Sequence, residues 1–90
     1  MTLHYRFPPA RAYRLNRCLH ALKSDDAFRD RYLADSDGAA AAMGLDAEET
    51  AALRAGDRDA LVARGAHPYL VFMAELRLGL ARGTAEIEYF

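Results

Sequence analysis

Residues 68–80 read PYLVFMAELRLGL and form the most apolar stretch of the chain. Proline is tolerated in the first turn of a helix, so His67-Pro68 predicts a helix start. One apolar stripe of this helix contains Tyr69, Phe72, Met73, Leu76 and Leu80, and a second apolar surface contains Leu70, Val71, Ala74 and Leu78. A surface helix of a monomer needs only one apolar face. Either the other helices surround this one, or a second protein covers its outer side, and both alternatives stay open at this point.

The composition of the whole chain favours helices. Of the 90 residues, 19 are Ala and 12 are Leu, whereas Val, Ile and Thr together supply six. Ala and Leu are strong helix formers and β-branched residues favour strands, so the composition disfavours an all-β fold and a large parallel sheet. This length allows one hydrophobic core. We therefore predict a single helical domain over 1–90, with an extended N-terminal arm over 1–9 and a C-terminal tail over 81–90.

Capping and turn residues divide the chain before the last helix into short elements. The predicted elements are a helix over 10–23, a second helix after Ser24-Asp25-Asp26, an Ala-rich turn before Gly44, a helix over 47–55 after Asp46, and a short helix between Asp57 and Gly65. With the last helix, these elements predict a compact all-α domain of five or six short helices. The alternating residues 86–89 leave open a short C-terminal strand or an extended tail.

The number of cysteines, the length of the apolar segments and the net charge argue against several classes of protein. Cys18 is the only cysteine, so a disulfide scaffold is excluded. No run approaches the roughly 18 apolar residues of a membrane span, and the N-terminus lacks the apolar stretch of a signal peptide. We therefore expect a cytoplasmic protein that does not bind membranes. A net charge of −1 argues against a nucleic-acid-binding protein.

The charges are nevertheless segregated along the chain. Residues 1–23 contain five bases and no acid, and residues 24–60 contain ten acids and four bases. One interpretation is that these two blocks neutralise each other within the fold. The other interpretation is that the basic block faces an acidic partner or an anionic ligand.

Few residues are suited to catalysis. A non-haem Fe(II) site needs two His and one carboxylate at one point, but His4, His20 and His67 form no H-x-D or H-x-x-E pair. Cys18 is surrounded by leucines at helical spacing, which predicts a buried and unreactive thiol. We therefore expect no catalytic and no metal-binding residue in this chain.

Several short motifs follow one another in a characteristic order. They are Y-x-L-N at 13–16, L-K at 22–23, G-L at 44–45, D-A-E-E at 46–49 and R-G-A-H-P-Y-L at 64–70. In order and spacing, roughly residues 13–79 resemble the alpha (small) subunit family of class III extradiol ring-cleavage dioxygenases, as in the protocatechuate 4,5-dioxygenase alpha chain.

The resemblance implies an all-helical, non-catalytic subunit that pairs with a larger catalytic beta subunit. In that family the beta subunit carries the Fe(II), and the complex opens a catecholic aromatic ring with O2. The alpha subunit covers the active site and lines the substrate pocket. The resemblance thus implies no cofactor in this chain, Fe(II) in its partner, and a catechol-type substrate at the interface.

The resemblance also assigns candidate residues to the substrate pocket or the subunit interface. These are Tyr13, Asn16, His67, Pro68, Tyr69 and Leu70, to which Phe72 is added because its ring, like that of Tyr69, is suited to stack on an aromatic substrate. Ordinary roles in the core and at a helix start are the alternative for each. For the whole chain, the alternatives are a stand-alone interaction or regulatory domain that forms a homodimer, and a small ligand-binding or catalytic protein.

Overall fold

Six helices make up the part of the chain that the structure describes. The computed structural model covers residues 10–82, with side chains from Ala12 onward. The helices are α1 (Ala10–Ser24), α2 (Asp26–Ala34), α3 (Ser36–Ala42), α4 (Ala47–Ala55), α5 (Arg58–Ala63) and α6 (Pro68–Arg82). Within residues 10–82 there is no strand, and the predicted all-α class is confirmed.

The two chain ends lie largely outside the described residues. The predicted N-terminal arm over 1–9 falls there, and so do residues 83–90, which include the candidate strand. Residues 81 and 82, which we placed in the tail, instead continue α6. The apolar residues of α6 keep their helical spacing up to Leu80, and no proline follows before Arg82. The helix therefore continues through Arg82.

Aspartate side chains begin four of the helices. Asp25, Asp35, Asp46 and Asp57 each accept a hydrogen bond from the backbone N–H three residues later. At Asp46 the bond is reciprocal, because Glu49 Oε1 also accepts from the Asp46 N–H at 3.0 Å, which completes a capping box. The cap at Asp35 explains one error in the prediction: the Ala-rich segment is a helix, α3, rather than a turn.

The hydrophobic core lies between α1 and α6 and extends to the shorter helices. Leu15, Cys18, Leu19 and Leu22 of α1 are fully buried, and α6 packs against α1 along much of its length. The α6 residues that enter the core are Val71, Ala74 and Leu78. Burial raises the pKa of the Cys18 thiol from 9.0 to about 12, as expected for an unreactive cysteine.

The apolar stripe of α6 faces away from this core. Tyr69, Phe72, Leu76 and Leu80 are between 42% and 54% exposed, whereas Val71 and Ala74 are fully buried. Successive helical residues are rotated by about 100°, which places the stripe opposite the buried residues. The described helices therefore do not surround α6, and they leave Tyr69, Phe72 and Leu76 exposed on its outer side.

Ion pairs within the described residues do not join the basic first block to the acidic second block. Arg54 pairs with Asp37 at 3.3 Å, and Arg64 contacts Asp46 at 3.2 Å. Arg64 also pairs with Glu48 and lies 3.8 Å from the buried Glu49. The bases of α1 form none of these pairs. Among residues 12–82, the bases of the first block therefore form no ion pairs with the acids of the second block.

Candidate functional site

The side chain of Asn16 connects helix α1 to the turn before α6. Its Nδ2 donates to the carbonyl of Gly65 at 3.1 Å, and its Oδ1 accepts from the backbone N–H of His67 at 2.7 Å. Gly65 adopts a φ of 101°, a left-handed conformation that favours glycine. The amide thus binds both sides of the turn and fixes the position at which α6 begins. We call this pair of hydrogen bonds the Asn16 clip.

His67 caps the N-terminus of α6. Its carbonyl accepts from the Val71 N–H at 3.0 Å, the first hydrogen bond of the helix. Its Nδ1 accepts from the Tyr69 N–H at 3.1 Å, as a capping side chain does. Because Nδ1 accepts, the proton of the neutral ring lies on Nε2. No described residue accepts a hydrogen bond from Nε2, so this N–H can be offered to a ligand or a partner.

The Tyr69 ring lies next to the His67 ring. The two centroids are 6.5 Å apart and the planes cross at 87°, an edge-to-face arrangement. Tyr69 is 54% exposed, so one face of an aromatic ring and a histidine N–H share the same end of α6. Pro68 separates them in sequence and occupies the first helical position, where its missing N–H costs no hydrogen bond.

The other candidate residues, Tyr13, Leu70 and Phe72, differ in exposure and in position relative to the start of α6. Tyr13 is exposed on α1, one turn before Asn16, but no hydrogen bond or ring contact joins it to His67 or Tyr69. Leu70 is half-buried and packs against the core. Phe72 is exposed one turn after Tyr69. The structure therefore groups Asn16, His67, Pro68 and Tyr69, whereas Tyr13 and Phe72 lie one helical turn away from Asn16 and from Tyr69, respectively.

Comparison with known protein families identifies the family of this chain. Residues 15–82 match the family model of the aromatic-ring-opening dioxygenase LigAB, LigA subunit. The chain belongs to this family. No curated protein and no solved structure matches it. As a LigA-family chain, it is a small subunit of an aromatic-ring-opening dioxygenase.

The residues of this LigA-family chain do not fit an Fe(II) site over the range that the structure describes. His20 is exposed on α1, and the Nδ1 of His67 is occupied by the Tyr69 N–H. Among residues 12–82, no three His, Cys, Asp or Glu side chains are placed to hold a metal ion. His4 lies outside the described residues. No described helix is long and apolar enough to cross a membrane.

Two features of this LigA-family subunit could not be predicted from local sequence patterns. The Asn16 clip joins residues 49 and 51 positions apart, and no local pattern indicates such a contact. Val62 on α5 is 41% exposed, and no sequence pattern indicated that its apolar side chain would face outward. A motif comparison identified Asn16 as a candidate, but only the structure shows that its side chain acts on the turn.

Proposed function

We propose that this chain is the non-catalytic subunit that covers the active site of the large subunit in an extradiol dioxygenase. The end of α6 that carries His67 and Tyr69 lines the substrate pocket. Family membership supports a role as one component of such an enzyme. The observation that carries the more specific role is the Asn16 clip, which holds an exposed aromatic ring and a histidine at one end of the molecule.

These two side chains supply what the wall of a pocket for a small aromatic ring requires. Such pockets combine apolar and aromatic walls with a few placed polar groups. Tyr69 offers a ring face for stacking, and the Nε2–H of His67 offers one hydrogen bond to a ring substituent. A lid of this kind excludes bulk water and restricts the orientation of the ring.

The proposal assigns the remaining roles to the partner. We expect Fe(II) and the acid–base groups in the large subunit, the substrate to be a catechol held between the two subunits, and the complex to be cytoplasmic. Tyr13 and Phe72 border the same end of the molecule and are assigned to the interface or the pocket rim. Pro68 and Asn16 act on the pocket only by fixing the start of α6.

Co-purification tests the proposal. The chain is co-expressed with the extradiol-type large subunit encoded nearest to its gene, and the mass of the complex is measured by light scattering. We expect a stable complex that cleaves a catechol from a panel with carboxylated, aminated and biaryl members. Absence of a complex would contradict the proposal. Tightly bound stoichiometric iron in the chain purified alone would also contradict it.

A further inference from the structure

The outer face of α6 contains a gap in its apolar stripe at Gly79. We propose that this face docks on the large subunit, and that a backbone segment of the large subunit packs against Gly79. The inference rests on the proposed function, because that function supplies the partner. It goes further by assigning the docking surface, which we call the α6 outer face and define by Tyr69, Phe72, Leu76 and Gly79.

Nothing inside the described chain accounts for a glycine at position 79. Gly79 lies three residues before the end of α6, within the helix, and it is not among the glycines with positive φ. A Cβ built on Gly79 would meet no atom of the described structure within 4 Å. Glycine in a helix interior destabilises the helix relative to alanine. Residue 79 is therefore a destabilising glycine that the backbone and packing of residues 12–82 do not require.

The position of Gly79 connects it to the exposed apolar side chains. Residues three and seven positions apart share one face of a helix, so Gly79 lies beside Leu76 and on the same side as Phe72. Phe72 is 52% exposed and Leu76 is 42% exposed. A residue without a side chain between large apolar neighbours forms a notch, and such a notch allows another backbone to approach closely.

Family membership supplies the large subunit as the occupant of this face, and the charges at the border of the face fit an acidic partner surface. Arg82 lies one turn after Gly79 and Arg77 borders the opposite side of the stripe; both are exposed and neither forms an ion pair with another described residue. Carboxylates of the large subunit placed opposite Arg77 and Arg82 would complement these two charges across the interface.

On the rim that carries Arg82, the side chain of Glu75 is already paired within the chain. Glu75 Oε1 accepts from the Arg58 Nε at 3.1 Å, which connects α6 to the start of α5. A shallow depression lined by Arg58, Phe72, Glu75 and Leu76 lies along this rim. This depression continues the apolar surface from α6 toward α5. The partner surface we infer is therefore apolar in its centre and acidic beside Arg77 and Arg82.

Gly79→Ala gives the sharpest test because its two expected effects have opposite signs. In the isolated chain the added methyl meets open space and improves helix propensity, so we expect the Tm to rise by about 2–8 °C. In the complex the same methyl fills the notch, so we expect the Kd for the large subunit to increase by about tenfold or more. Calorimetric melting and titration calorimetry with the purified large subunit measure the two effects.

Two further variants control this test. Asp30→Ala also replaces an exposed helical residue with a better helix former, but it lies on α2, and its Kd should stay within about twofold of the unaltered chain. Leu76→Ala removes a side chain from the α6 outer face and should weaken the complex by about tenfold. These variants separate an effect of the face from an effect of helix stability.

Each outcome of the series decides a different point. A stable complex whose Kd is unchanged by both Gly79→Ala and Leu76→Ala would overturn the docking surface and leave the proposed function standing. A dimer of the isolated chain that Gly79→Ala dissociates would also overturn it, because the occupant would be a second copy. Failure of the unaltered chain to bind the large subunit would contradict the proposed function together with the docking surface.

Discussion

The side-chain oxygen of Asn16 accepts a 2.7 Å hydrogen bond from the backbone N–H of His67, 51 residues further along the chain. The amide nitrogen of Asn16 donates at the same time to the Gly65 carbonyl. One side chain of α1 thus satisfies two backbone groups in the turn that precedes α6. The position of the His67 and Tyr69 rings relative to α1 follows from these two bonds.

Asn16→Ala should therefore destabilise the protein. One partly buried and one exposed hydrogen bond to the backbone are lost, and we expect the free energy of unfolding to fall by about 1–3 kcal/mol. Urea denaturation measures the change. Arg17→Ala is the matched control, because Arg17 is the exposed neighbour with no ion pair among the described residues, and its effect should stay within about 0.5 kcal/mol. Equal effects of the two substitutions would show that the clip contributes nothing to stability.

Substitutions at two adjacent positions of α6 should show which of its two apolar faces is buried in the core and which is exposed. Val71 is fully buried, so Val71→Glu places a charge in the core and should abolish cooperative folding. Phe72 is 52% exposed, so Phe72→Glu should leave the circular dichroism spectrum unchanged and shift the free energy of unfolding by about 1 kcal/mol or less. An unfolded Phe72→Glu variant would contradict the assignment of the outer side.

The buried thiol of Cys18 should make stability depend on pH in alkaline solution. Its pKa is about 12 in the folded chain and 9.0 when unperturbed. Between these values the unfolded chain loses the proton while the folded chain keeps it. The free energy of unfolding is thus highest below pH 9 and falls as pH rises, by at most about 1.4 kcal/mol per pH unit from this group.

Cys18→Ala isolates that contribution. Urea denaturation at about pH 8 and about pH 10.5 gives the loss of stability for each protein, and the unaltered chain should lose about 2 kcal/mol more than the variant. The pKa of Tyr32 is also raised, first by burial and also by the charge of Cys18, so the difference between the two proteins reports the Cys18 thiol together with its effect on Tyr32. The same loss in both proteins would contradict the assigned state of Cys18.

His67→Ala should affect turnover more than folding. The helix loses a capping side chain, and we expect a decrease in the free energy of unfolding of about 0.5–1 kcal/mol. In the complex, loss of the Nε2–H should raise the KM or lower the kcat for the catechol while the Kd between subunits stays the same. Steady-state kinetics on a verified complex measure this. Kinetic constants equal to those of the unaltered complex would remove His67 from the substrate pocket.

The elements that the sequence predicts well depend on local contacts. The boundaries of α4 follow from Asp46, whose cap and reciprocal bond involve residues only three positions apart. The start of α6 follows from His67-Pro68 for the same reason. The beginning of α3 was missed because a run of small residues after Asp35 has little periodicity, and only the cap at Asp35 identifies it.

The orientation of α6 could not be predicted from periodicity. Both of its apolar faces have helical spacing, so the pattern does not distinguish the face that enters the core. In the folded chain the smaller Val71 and Ala74 pack in the core, and the larger Tyr69 and Phe72 lie outside. Long-range packing also determines the Asn16 clip. A family resemblance could therefore identify the candidate residues, but it could not predict how they are arranged in space.

Ring-cleavage activity of the large subunit, measured as this chain is added, tests the central claim most directly. The account predicts no turnover by the chain alone, and a kcat/KM for the catechol that rises by about tenfold or more and then saturates as the complex forms. The Nε2–H of His67 and the ring of Tyr69 would then act within a closed site. Ring cleavage by the isolated chain, or activity of the large subunit that does not change over the whole titration, would contradict the account.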